Sequence, residues 1–193
     1  MRLGLNSTDV GYTAVFSTML GVVEAVVYST VYPSLPPIVI VPLVTCFFFA
    51  VTLAFCRKQW VIGIIAFLVT ALVKSPMLPG QFMIPAYGLL FQAVKGQKRW
   101  ACGVAGFAGS ALHVLYGVLL APLIFSVAPA TAIVSFVKPY TGGFGSALAI
   151  CVLIFGICGM LAAEVGHRTG IRIRANMNHI FNSTTVVLAF SPV

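Results

Sequence analysis

The chain has 193 residues, 60% hydrophobic and 7% charged, with 11 lysines and arginines against 3 acids. So little polar material cannot coat a soluble globule, which excludes a soluble domain built on one oversized core. A formal charge of +8 would point to nucleic acid in a soluble protein, but no basic helix carries interleaved aromatics here. The basic residues stand between apolar blocks, as the positive-inside rule requires, and no nucleic-acid partner is expected.

The first apolar block, 11–31, is long enough to cross a bilayer, since a spanning helix needs about 20 such residues. Within it Ser17, Gly21, Ala25 and Ser29 recur at every fourth position, so a helix carries them as one ribbon. Small-residue ribbons let a neighbouring backbone approach closely, which is a main source of helix association in lipid. Beside the ribbon stands Glu24, the acid farthest from any predicted inner edge. A carboxylate at that depth must be paired, protonated or facing water, so it is a candidate functional residue. Its plain reading is a packing partner for His113 or Lys74.

After a YPSLPP link, the second block covers 38–55 and is closed by Arg57 and Lys58. The third, 60–73, and the fourth, 81–94, are short. They are separated by a proline- and glycine-rich turn, and Pro85 is expected to kink the fourth. Lys95, Lys98 and Arg99 precede the fifth block, 100–127, where Ala101, Ala105, Gly109 and Gly117 form another ribbon. His113 fills the gap in that series, so it faces a helix or a cavity. It is either a packing histidine or a ligand contact. A segment too interrupted to span, 128–140, then leads to the sixth block, 141–165. The six-helix domain is taken as 1–175, and the tail, 176–193, as interfacial or poorly ordered.

With the N-terminus in the cytoplasm, nine of the 11 basic residues fall inside and only Lys74 and Lys138 outside. The expected architecture is therefore an all-α polytopic protein of the cell membrane, a bundle of six transmembrane helices with both termini cytoplasmic. Glu24, Tyr28, Lys74, Gln81, Tyr116, Lys138 and Tyr140 then lie toward the outer face, and with His113 they form the candidate substrate-binding set. Tyrosine rings with few polar anchors suit a small polar ligand, although any one tyrosine also fits the ordinary interfacial belt. Glu164 and Arg168, four apart at the inner end, read as an ion pair.

The five cysteines form no CxxC pair and read as small buried residues. No metal site and no cofactor is expected, because no second ligand lies one turn from His113. The chain lacks nucleotide-binding and hydrolytic motifs, so it is not read as an enzyme.

Three features resemble a known family. They are the ribbon Ser17/Gly21/Ala25, the break FLVTALVKSPMLPGQFMIPAYGLLFQAV at 67–94, and the glycine-rich last span with its basic exit, GICGMLAAEVGHRTGIRIR, at 156–174. Together with the six-span plan they are similar to substrate-binding (S) components of energy-coupling factor vitamin transporters, in particular thiamine-precursor-type members. The resemblance implies capture of a small water-soluble vitamin or precursor near the outer face. It also implies docking through Ser17, Gly21 and Ala25 onto a transmembrane coupling subunit driven by two ATPases. Two other readings stay open: a stand-alone transporter or channel using Glu24 and His113, and a structural subunit of a membrane complex.

Overall fold

A computed structural model describes residues 7–31, 40–73, 79–125 and 131–189. These residues form helices and short connections with no strand among them. Helix α1 spans Ser7–Val31, α2 Val41–Thr52 and α3 Gln59–Val73. A 3-10 turn, Pro79–Met83, leads into α4, Ile84–Ala93. Helix α5, Arg99–Leu115, passes through a π-helical turn, Tyr116–Leu120, into α6, Ala121–Phe125. Helix α7 covers Thr131–Thr141 and α8 Phe144–Ala189.

Among the described residues, three helices are long and apolar enough to cross a membrane: Ser7–Val27, Trp100–Ile124 and Phe144–Met177. Val41–Thr52 and Gln59–Val73 are shorter apolar helices. At a rise of about 1.5 Å per residue, α2 and α3 reach only about 18 and 22 Å. That is less than the roughly 30 Å of a hydrocarbon core. The sixth block continues well past 165. α8 is one helix of 46 residues, about 69 Å long, and it takes the expected tail with it as far as Ala189. Pro85 does not kink a span. It lies in the first turn of α4, where its missing N–H has no helical partner to lose.

Glycines determine which helices touch. On α8, Gly159 sits on the backbone of Gly106 and on Ser110, and Gly156 faces the ring of Phe107, all on α5. About two and three turns beyond Gly159, Gly166 rests on Phe47 and Gly170 on Val51 of α2. α8 is therefore clasped between α5 and α2 by close backbone approach. In α3 and α4, a Cβ on Gly88 would lie 2.9 Å from the Gln59 carbonyl oxygen, and one on Gly63 would lie 3.1 Å from Pro85 Cα. These two helices cross at near backbone contact.

The ribbon of α1 is used inside the chain. Ser17 and Ala25 are buried, a Cβ on Gly21 would meet Val69 at 2.7 Å, and Thr70 Oγ1 donates to the Gly21 carbonyl at 3.2 Å. The expectation that Ser17, Gly21 and Ala25 form a docking face for another subunit is corrected accordingly. α3 of the same chain already occupies that face. The side chain of Ser29 lies outside the described residues.

Two apolar clusters fill the interior. The larger one joins Leu20, Phe49, Ile62, Tyr87 and Phe91, with Phe49 stacked on Tyr87 at 6.4 Å and on Phe91 at 5.8 Å. The smaller joins Val114, Val118, Val134, Ala147 and Cys151 and holds α7 against α5 and α8. All five cysteines are free thiols, four of them buried.

Candidate functional site

The polar interior is assembled from α1, α2, α4 and α5. Glu24 of α1 is fully buried, and one of its oxygens accepts a hydrogen bond from the Thr45 hydroxyl of α2. Thr45 Oγ1 also lies 2.7 Å from the Val41 carbonyl in its own helix. Among the described residues, Glu24 Oε2 has no hydrogen-bond partner. The neighbour of Thr45 carries the polar chain onward. Cys46 Sγ lies 3.4 Å from Ser110 Oγ and 3.4 Å from the Gly106 carbonyl on α5. The ring of Tyr87 on α4 packs against α5 at Gly109, which leaves room for it.

One turn beyond Ser110, His113 is buried with its ring 6.1 Å from that of Tyr87. Its Nδ1 has no partner among the described residues. Glu24 and His113, on different helices, thus each bury one atom without a partner among the described residues. Such groups are costly unless a proton, water or solute completes them.

The remaining expected site residues scatter. Gln81 is buried in the turn before α4. Tyr116 lies on the π-helical turn, half-buried against the larger cluster. Lys138 and Tyr140 are exposed on α7, and Tyr140 pairs with Phe136 at 6.3 Å. α7 turns its apolar side, Val134 and Val137, toward α8 and leaves these two on its exposed side. Lys74 and the side chain of Tyr28 lie outside the described residues. No ion pair joins Glu24 to His113.

Sequence reasoning missed Thr45, Cys46, Tyr87 and Ser110. Their signal was a polar atom in the middle of an apolar block, the same signal that singled out Glu24, but weaker in a neutral side chain. It also missed the knot beneath the α2–α3 turn. There Gln59 Nε2 donates to Thr52 O at 3.1 Å and to Cys56 O at 3.0 Å. Thr52 Oγ1 donates to Gln59 Oε1 at 2.6 Å, and the Gln59 N–H donates to Gln92 Oε1 at 2.7 Å.

Around that knot the basic loops converge. Lys95 Nζ donates to the Cys56 carbonyl, and Arg174 of α8 donates to Ala54 O at 2.5 Å. Arg57 pairs with Asp9 of α1 at 3.4 Å. Burial lowers the Lys95 ammonium from its ordinary pKa and pushes the Cys56 thiol up to about 11.

None of the family models, curated proteins or solved structures compared with the chain matches it.

Proposed function

We propose that the chain is a multi-pass membrane protein that captures a small polar solute in the interior around Glu24, as the substrate-binding subunit of an ATP-driven importer of the energy-coupling factor type. In this reading six apolar segments cross the bilayer and both termini face the cytoplasm. The start of α1, the α2–α3 turn, the α4–α5 turn and the Arg174 segment of α8 meet at one end and carry Arg57, Lys95, Lys98 and Arg174, which supports that orientation. The observation that carries the reading is Glu24 itself, with one oxygen held by Thr45 and the other left without a partner in a buried interior. A solute donor completes such a site, and no ATPase motif in the chain provides a motor, so partner subunits must supply one.

The test is solute binding by the detergent-purified chain, with the proteins that accompany it from its native host identified by mass spectrometry. Saturable binding of a vitamin-sized solute, lost in Glu24→Gln, together with recovery of a membrane subunit and two ATPases, supports the reading. A chain that binds no small solute and brings no partner sinks it.

His113 favours a second reading. Its Nδ1 is also without a partner among the described residues, and its ring lies 6.1 Å from that of Tyr87. A stand-alone proton-coupled transporter would use both groups, and reconstituted protein would then move solute without ATPases, with loss of activity in His113→Gln as well as in Glu24→Gln.

A further inference from the structure

At the basic end of the bundle lies a cleft of about 410 Å³ lined by Thr8, Asp9, Tyr12, Arg57, Lys95 and Arg174, with the Leu53–Phe55 turn as its floor. Among the described residues, three cations face one acid. Two of the cations are already anchored, Lys95 on the Cys56 carbonyl and Arg174 on the Ala54 carbonyl. They are therefore held near one another without being neutralised by those contacts. The third, Arg57, is largely exposed while it pairs with Asp9, so it can reorient toward an incoming group.

A preformed ring of ammonium and guanidinium donors fits the tetrahedral oxygens of a phosphate group. A second, smaller cleft, lined by Lys95, Lys98 and His167, adjoins it through Lys95 and adds to the positive field.

From the cleft, an exposed apolar stripe runs along α1. Thr8 of the cleft lining shares one face of the helix with the exposed Val15, Met19, Val22 and Val26. A phosphate carried on acyl chains finds both of its parts matched here, the headgroup in the cleft and the chains along the stripe. A free phosphate matches only the first.

We propose that this cleft is a binding site for the phosphate headgroup of an anionic membrane phospholipid, which ties together the start of α1, the α2–α3 and α4–α5 turns and the Arg174 turn of α8. The inference rests on the chain residing in a membrane, but not on solute capture at Glu24. Basic pockets between helices at a cytoplasmic edge are suited to such headgroups.

The experiment is native mass spectrometry of the full-length chain in detergent, titrated with dioleoyl phosphatidylglycerol, dioleoyl phosphatidylcholine or inorganic phosphate. The expected result is preferential retention of phosphatidylglycerol. Arg57→Gln/Arg174→Gln should weaken that retention about tenfold, and Arg172→Gln, which removes one charge outside the cleft as Arg57→Gln does within it, should alter it by less than about twofold. Because the double variant removes the Ala54 anchor on which the local fold leans, the single Arg57→Gln, at a largely exposed side chain, is measured beside it and should weaken retention in the same direction. Equal retention of the two lipids overturns the proposal, as does an Arg57→Gln result no different from Arg172→Gln. Arginine-dependent binding of inorganic phosphate without lipid preference overturns the lipid assignment. Glu24→Gln should leave lipid retention unchanged, so failure of the capture reading and failure of this one are told apart.

Discussion

Where α5 meets α8, glycine faces backbone. A Cβ on Gly159 would fall onto Ser110 and within 2.5 Å of the Gly106 carbonyl, and one on Gly106 would lie 2.6 Å from the Cβ of Ala163. Where α1 meets α3, glycine faces a side chain first. A Cβ on Gly21 would lie 2.7 Å from Val69 and 2.9 Å from the Ala66 carbonyl. Both seams are made of small residues, yet only the first is closed on both sides by main chain. Main chain within a helix cannot step aside without breaking its hydrogen bonds, and Val69 Cβ moves only with its own main chain. The first seam, closed by main chain from both helices, is the more rigid. The second meets main chain on one side only, and it carries Glu24 on its α1 side.

The sharpest way to break this comparison is Gly159→Val. It should cost on the order of 3 kcal/mol or more, enough to lose most folded protein, read as thermal unfolding in detergent. Next comes Thr45→Val, which keeps the shape but removes the donor to Glu24. A cost of about 1–3 kcal/mol is expected from the carboxyl oxygen left unsatisfied, and Thr45→Ser should recover most of it. Gly21→Ala tests the second seam and should cost about 1–3 kcal/mol, less than Gly159→Ala in the same assay. If the two alanine variants are equally destabilised, the distinction between the seams fails. The smallest effect is expected at the edge of the first seam. Glu164 and Arg168 pair at 2.9 Å on the outside of α8, and Glu164→Gln should change stability by less than about 1 kcal/mol, less still in high salt.

The two seams also show why the small-residue ribbons were easy to find and hard to interpret. Four-residue spacing of Ser17, Gly21 and Ala25 shows that a helix face is smooth. It does not show whether the approaching backbone belongs to the same chain. In the structure α3 takes that face, and the docking role that the resemblance attached to it has no free surface left. His113 was legible for the same reason, as the one large residue in a ribbon of small ones. Tyr87, Thr45, Cys46 and Ser110 were not, since a neutral polar atom within an apolar block is as often satisfied by its own helix as by a neighbour.

Lys138 and Tyr140 show the opposite error. Assignment to the outer side grouped them with Glu24, but the amphipathic pattern of α7 turns them to the exterior.

By itself the sequence determined the all-helical character, the apolar segments and the clustering of positive charge at one side. It also marked Glu24 and His113 as the residues that must be explained. All of these follow from local hydropathy and from the cost of charge in an apolar phase, which depend only on what stands where along the chain. Tertiary structure alone decided which glycines meet which backbones, that α8 is one unbroken helix clasped by α5 and α2, and that Thr45 rather than a base holds Glu24. It also brought Arg57, Lys95 and Arg174, from three distant segments, around one cleft. Those outcomes depend on which helix faces become neighbours, and residues far apart in the chain carry no local record of that choice.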